Sequence, residues 1–278
     1  MNYKMVCIDM DGTLLNSQKK LSEINKIALK KAYDKGVHII ICTGRNTNSA
    51  RYFSHLIGIK SAAIANNGAI VLDEDGEVLL FKETLNKEQC IKLLEVGKKF
   101  KATPNFHGLG KIYLDSKLRK IVNDLFFNRK VPETFKIKNI YYKSGSKFWN
   151  ELFSNESESF GKCIFTERRS KLALIEKEII NGDFEITYSG KHCLEINNKG
   201  VNKGRAVKLL AEHYNIKKEE IICIGDNGND ISMIEYAGLG VAMANGTEAV
   251  KAIADYITES NDNNGVAKVV EKFILNKE

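Results

Sequence analysis

Apolar runs and helical periodicities alternate along the first eighty residues of this chain. Residues 4–8, KMVCI, read as a short buried strand. In LSEINKIALKKAYDKG, apolar residues recur at helical spacing at Leu21, Ile24, Ile27, Ala28 and Ala32, with Ser22 placed to cap the start and Gly36 to end the helix. VHIIICTGR, 37–45, is a second apolar run rich in β-branched residues, and the helix after it stops near Gly58. SAAIANNGAIVL predicts a third strand at about 62–65 and a hairpin beyond it. Strand, helix, strand, helix, strand predicts parallel strands joined by right-handed crossovers. The rhythm returns late. NKGRAVKLLAEHY is helical, EEIICIGDNGND is a strand running into a polar turn, DISMIEYAG is a short helix, LGVAMAN a strand and GVAKVVEKFIL a helix.

The middle of the chain has another texture. Helical patterns at 87–99 and 169–181 alternate with short strands such as KIYLD, KCIFTE and FEITYS. This predicts an α+β module, residues 83–188, inserted into an α/β core made of residues 1–82 and 189–278.

Composition narrows the class. The 278 residues are 43% hydrophobic and 28% charged, ordinary values for a globular protein with a sizeable core. No run approaches the roughly 18 apolar residues of a membrane span. The start, MNYKMVCIDMDG, enters a strand without the apolar region of a signal peptide, so a cytoplasmic location is expected. The six cysteines form no CxxC pair, and Cys7, Cys42 and Cys223 lie in strand-like runs where a thiol acts as a small core residue. The net charge of +7 comes from dispersed lysines, with KK at 19–20, 30–31, 98–99 and 217–218. Solvated helix faces account for them, and neither a nucleic acid, a membrane surface nor an obligate protein partner is expected.

Polar clusters follow the apolar strands at four places: DMDGT at 9–13, TGR at 43–45, NNG at 66–68 and GDNGND at 225–230. Parallel strands bring their carboxyl ends to one edge, where open α/β sheets bind ligands. Asp9, Asp11 and Asp226 would then repel one another unless a cation sat among them. All-oxygen ligands without His or Cys favour Mg²⁺. Thr43 offers a hydroxyl and an N–H at a turn, and Lys203, just before a helix in VNKGRA, offers an ammonium; both suit a phosphate oxygen. Two carboxylates two residues apart are able to divide a phosphoryl transfer between a nucleophile and a proton shuttle. Each motif alone is an ordinary turn, cap or surface lysine. Their joint occurrence, in order and each at an element boundary, points to catalysis.

In that order DMDGT, the Thr43 of ICTGR, Lys203 and GDNGND resemble the four motifs of the haloacid dehalogenase superfamily. GDNGNDISMIEYAG with VAMANG, and CLEINNKGVNKGRAV, resemble its Cof-type phosphatase branch, which carries an α+β cap where the odd-textured middle lies. The resemblance implies a Rossmann-like parallel-sheet core. It implies Asp9 as nucleophile and Mg²⁺ ligand, and Asp11 as general acid/base with its carbonyl on the metal. Thr43 and Lys203, with the backbone N–H groups of Met10 and Gly44, would bind phosphate, and Asn229 would help hold Lys203 or the phosphate. Asp226 would complete the metal ligands and Asp230 would steady them.

The expected activity is Mg²⁺-dependent hydrolysis of a small phosphorylated metabolite, a sugar phosphate or a nucleotide or cofactor phosphate, through an aspartyl-phosphate. A phosphomutase or phosphotransferase would use the same residues, and a non-catalytic sensor of phosphorylated ligands is the reading from another class. Asp11, able to protonate a leaving oxygen and then activate water, favours hydrolysis. Asn67 of NNG either touches substrate or supplies a positive-φ turn. Arg45 either faces substrate or caps a helix. In the inserted module His107, Lys111 and Tyr113 are candidates for recognising the leaving group.

Overall fold

The computed structural model describes residues 3–76, 79–143 and 147–276. They divide into two compact units, one of Met1–Gly44, Ala50–Phe81 and Asn202–Glu278, the other of Arg45–Ser49 and Lys82–Val201. The chain begins with β1 (Met5–Ile8), α1 (Glu23–Asp34), β2 (His38–Cys42), α2 (Thr47–Ile57), β3 (Ala63–Ala65), β4 (Ile70–Leu72) and β5 (Leu79–Lys82). It continues with α3 (Lys87–Lys99), β6 (Pro104–His107), β7 (Lys111–Leu114), α4 (Lys117–Asn128), β8 (Lys138–Tyr141), α5 (Phe148–Phe153), β9 (Lys162–Thr166), α6 (Arg169–Ile179), β10 (Phe184–Tyr188) and β11 (Cys193–Asn198). It ends with α7 (Lys203–His213), β12 (Ile221–Gly225), α8 (Ile231–Tyr236), β13 (Leu239–Ala242), α9 (Glu248–Ile253), β14 (Tyr256–Ile257) and α10 (Gly265–Val270).

The first unit is built on an eight-stranded sheet in the order β14-β13-β12-β1-β2-β3-β4-β5. The strands from β14 to β3 are parallel, and β4 returns antiparallel to β3 as the expected hairpin, with Ala65 opposite Ile70. The central strands are apolar throughout because both faces are covered. Val6, Ile8, Ile39, Ile41, Ile222 and Ile224 face the α1 and α10 side, while Met5, Cys7, Ile40, Cys42, Ile221 and Cys223 face the α7 and α8 side. The three strand cysteines are thus core residues, and all six cysteines are free thiols.

Helix α1 is capped by Ser22, whose Oγ accepts the Asn25 N–H at 3.1 Å, and Gly36 follows it at φ +86°. Its buried stripe departs from the expected one. Ile24 and Ile27 are 54% and 51% exposed, and Asn25, Ala28, Leu29 and Ala32 face inward. Asn25 wins an inward place because its side chain donates to the Leu14 carbonyl and accepts the Ala267 N–H, joining the loop after β1 to α10.

The second unit holds a six-stranded sheet in the order β10-β11-β9-β6-β7-β8. Its pairs are antiparallel except β7 with β8, so the inserted module is α+β as expected. One sheet face packs on α3, α5 and α6 through Phe106, Tyr113, Phe165, Leu194 and Ile196. The second join differs from the expected position after residue 188. β10 pairs with β11 from Phe184 opposite Asn198 to Tyr188 opposite Leu194, and this hairpin carries the chain to Val201 into the second unit. CLEINN, which the expected bounds assign to the core, is therefore a strand of the inserted sheet. The first join splits as well. Residues 45–49 cluster with the second unit, where the Asn46 and Asn48 side-chain amides donate to the Gly108 and Lys136 carbonyls at 2.7 and 2.9 Å.

Candidate active site

Three neighbouring strands of the first unit end in polar residues at one sheet edge. Asp9 follows β1, Thr43 follows β2 and Asp226 follows β12, and the register sets Ile8 beside both Ile41 and Ile224. The Asp9 N–H donates to the Ile224 carbonyl at 3.0 Å, which fixes where its side chain starts. The next turn needs Gly12. Its φ is +91°, and a Cβ there would lie 2.4 Å from Asp226 Oδ2. Asp226 in turn accepts the Thr13 hydroxyl on Oδ1 at 2.7 Å.

Lys203 is the first residue of α7, which Asn202 caps by accepting the Arg205 N–H at 2.8 Å. Its side chain turns inward and is fully buried. Close helix packing makes that reach possible, since a Cβ on Gly204 would meet the Ser232 carbonyl at 2.2 Å. The Lys203 ammonium donates to Asp9 Oδ1 at 2.5 Å and to Asp230 Oδ1 at 2.6 Å. Asp230 spends its other oxygen on the N–H groups of Asp226 and Asn227, at 2.9 and 3.0 Å. Burial alone would discharge Lys203, but Asp230 and Asp9 outweigh it and hold the ammonium well above the usual lysine range.

The acids pull the other way. Burial raises Asp9, and Asp230 and Asp226 add to the rise while Lys203 opposes it. Burial and then Asp230 push Asp226 up to about 6. Ligand oxygens of Asp9, Asp226 and Asp230 all lie within 4.8 Å of one another. Such a group fits a hard divalent cation, which would relieve the repulsion that now favours protonation. Within it Asp230 is committed to N–H donors on both oxygens, whereas Asp9 and Asp226 each keep an oxygen with no hydrogen bond among the described residues.

The remaining expected residues fall in distinct places. Asp11 sits at the half-exposed rim, paired with the exposed Lys19 at 2.9 Å. Met10 buries its side chain in the core and leaves only its backbone at the site. Thr43 is buried; its N–H donates to the Ile64 carbonyl and its carbonyl accepts the Asn67 N–H, at 2.8 and 3.1 Å, with half-buried Gly44 next in the chain. Asn66 and Asn67 have φ of +51° and +61°, so NNG is a left-handed turn, and Asn67 Oδ1 accepts from Asn229 Nδ2 at 3.2 Å. The partners of Lys203 are Asp9 and Asp230 rather than Asn229. Arg45 belongs to the second unit. There Lys111 and Tyr113 both end on Glu158, at 2.5 Å each, and the Tyr113 ring lies in the aromatic core.

Three residues escaped the sequence reading. Thr13 holds Asp226, Asn245 donates to the Gly12 carbonyl at 2.8 Å, and Lys19 holds Asp11. Thr13 and Asn245 stood inside the quoted DMDGT and VAMANG stretches, so position in the motif was the available signal. Lys19 looked like any surface lysine.

The likeness to known proteins covers the same ground. The family model of haloacid dehalogenase-like hydrolases matches residues 6–270. The chain is 32% identical over 274 residues to the 5-amino-6-(5-phospho-D-ribitylamino)uracil phosphatase YcsE of Bacillus subtilis, spanning 99% of this chain and 97% of that protein. The solved structure of a haloacid dehalogenase-like hydrolase from B. subtilis matches with a TM-score of 0.84 and 29% identity, over 98% of this chain and 100% of that one. The subclass IIB sugar phosphatase BT4131 matches with a TM-score of 0.78 and 25% identity, over 97% and 98% of the two chains. The chain belongs to the haloacid dehalogenase-like hydrolases, and within them to the enzymes that cleave phosphoric monoesters.

Proposed function

We propose that the chain hydrolyses a small phosphorylated metabolite in two steps at Asp9. The observation that carries this reading is the placing of Asp9, Thr43 and Asp226 at the ends of adjacent parallel strands, with the Lys203 ammonium reaching in from the start of α7 to donate to Asp9. In the first step the uncommitted Asp9 oxygen attacks phosphorus, the bond from phosphorus to the alcohol oxygen breaks, and Asp11 gives that oxygen its proton. In the second, Asp11 takes a proton from water, the hydroxide attacks phosphorus, and Asp9 leaves as a carboxylate. The exposed pair with Lys19 stabilises by only about 0–1 kcal/mol, so it does not lock Asp11 out of this role. Lys203, the Thr43 hydroxyl and backbone N–H groups at Met10 and Gly44 would hold the phosphoryl oxygens, with Asn229 supported on Asn67.

Asp9 and Asp226, with the Asp11 carbonyl, would hold Mg²⁺, which supplies neutralisation of charge at the phosphoryl group, and Asp230 would steady them. The inserted unit would choose the alcohol portion. The relatives' names, a ribitylaminouracil phosphatase and a sugar phosphatase, support a sugar phosphate or a nucleotide or cofactor phosphate as substrate. Phosphate release from a panel of such esters tests the reading. Release should require Mg²⁺, stop with EDTA, and vanish in Asp9→Asn, whose amide is a poor nucleophile. Full activity in a clean Asp9→Asn preparation would sink the mechanism.

A further inference from the structure

Helix α4 turns an apolar stripe to the outside. Leu118, Ile121, Val122 and Leu125 recur at the spacing of one helical face, yet they are 70%, 56%, 40% and 60% exposed. Polar residues fix this orientation. Asp124 Oδ1 accepts from Asn139 Nδ2 at 2.6 Å, Asn128 Oδ1 accepts the Ile137 N–H at 2.9 Å, and Asn128 Nδ2 donates to the Ile137 carbonyl at 2.8 Å. In the first turn Arg119 Nη2 donates to the Thr166 carbonyl at 3.2 Å. Rolling the helix to bury the stripe would break these hydrogen bonds, so the stripe is held at the surface. Single exposed aliphatic residues are ordinary, but four on one face mark an interaction surface.

The charges around the stripe indicate its partner. Every fourth residue from Lys117 gives Lys117, Ile121, Leu125 and Arg129, all exposed, so one ridge carries a cation at each end of an apolar middle. Between residues 115 and 147 stand nine Lys and Arg and only three Asp and Glu. Two of those acids are already paired, Asp124 with Lys120 and Glu133 with Lys136, each at 2.6 Å. The bias extends over the whole second unit, which has 24 Lys and Arg to 15 Asp and Glu, against 18 to 20 in the first unit. The net charge of +7 therefore resides in the unit that carries the stripe.

A nucleic acid would meet the cations but leave the aliphatic side chains without a partner. A second copy would cover the stripe but set cation against cation at both ends, whether the two helices ran parallel or antiparallel. An anionic bilayer satisfies both features, because its headgroups carry the counter-charge and its acyl boundary accepts aliphatic side chains. We propose that α4 is an interfacial helix that docks the protein reversibly on an anionic lipid surface. Leu118, Ile121, Val122 and Leu125 enter the acyl boundary, and Lys117 and Arg129 meet lipid phosphates. At about 1.5 Å per residue the 12-residue helix is about 18 Å long, so it lies in the surface and does not span it. No residue of the candidate active site takes part, and the proposal stands apart from the phosphatase reading.

Sedimentation with lipid vesicles tests it. The wild-type chain should partition onto vesicles of phosphatidylcholine and phosphatidylglycerol in equal parts, and at least about tenfold more weakly onto phosphatidylcholine alone. Ile121→Gln with Leu125→Gln keeps the charge and removes the apolar ridge. Both positions are exposed and glutamine is a good helix former, so the melting temperature should not change. This variant should bind the anionic vesicles at least about tenfold more weakly. Lys117→Gln with Arg129→Gln, which keeps the stripe, should also bind at least about tenfold more weakly. No partition of the wild type onto anionic vesicles, or undiminished partition of both folded variants, overturns the proposal; the first result would make an acidic protein the occupant to seek. Analytical ultracentrifugation of the chain alone supplies the other arm. A dimer that Ile121→Gln with Leu125→Gln abolishes would assign the stripe to a second copy and overturn the proposal; a monomer in both supports it.

Discussion

Lys203 shows what one residue does when its surroundings are fixed. A lysine at the start of a helix is ordinarily solvated, yet this one is fully buried between two carboxylates. Removing it does two things. Lys203→Met should lower kcat/KM about 10²- to 10³-fold, the usual loss for one preorganised cation facing developing charge. It should also destabilise the fold by about 3–5 kcal/mol, because Asp9 and Asp230 stay buried without their cation. Urea unfolding alongside kinetics separates the two, and unchanged stability would mean the carboxylates had simply become protonated. Asp230 illustrates the complementary point. With one oxygen on Lys203 and the other on two N–H groups, it positions its neighbours and has no oxygen to spare for other work.

Elements are held by residues that pattern alone misreads. Ile24 and Ile27 fit the apolar stripe of α1 but face outward, while Asn25 lies inside with its amide bonded to Leu14 and Ala267. Asn25→Ala leaves a buried carbonyl and a buried N–H without partners, so a loss of about 2–4 kcal/mol is expected. A melting temperature within a degree of the wild type would rule that bridge out. In the inserted sheet His107 is held neutral by burial and by Lys162, its pKa pushed down to about 3. The unfolded chain takes up a proton near pH 6.5 that the folded chain refuses until about pH 3. Stability from this group is therefore complete above pH 6.5 and lost as pH falls, with a slope of up to about 1.4 kcal/mol per unit. Denaturant melts at pH 7 and pH 5 should show the loss in the wild type and not in His107→Asn; equal losses in both would assign it to other groups.

At the scale of the whole chain, the metal reading predicts linkage between ligand and stability. A cation held by the folded carboxylates and not by the unfolded chain adds about 2.7 kcal/mol at 100 times its Kd. Thermal scans should rise with Mg²⁺, fall back with EDTA, and lose the response in Asp226→Asn; a response that survives in Asp226→Asn removes that residue from the cation site. Among the described residues no helix is long and apolar enough to cross a membrane. By itself the sequence determined the α/β core, the inserted α+β module and the order of its motifs. Those follow from local periodicity and from carboxylates, a threonine and a lysine standing where strands end or helices begin. Only the tertiary structure decided that Lys203 meets Asp9 and Asp230, that Asn25 faces inward, that the second join lies beyond β11, and that Lys111 and Tyr113 serve Glu158. Each of these is set by contacts between residues distant in sequence. The parity of a strand says that alternate side chains share a face; which face is covered, and which polar atoms lack partners there, is fixed only when the sheet has packed.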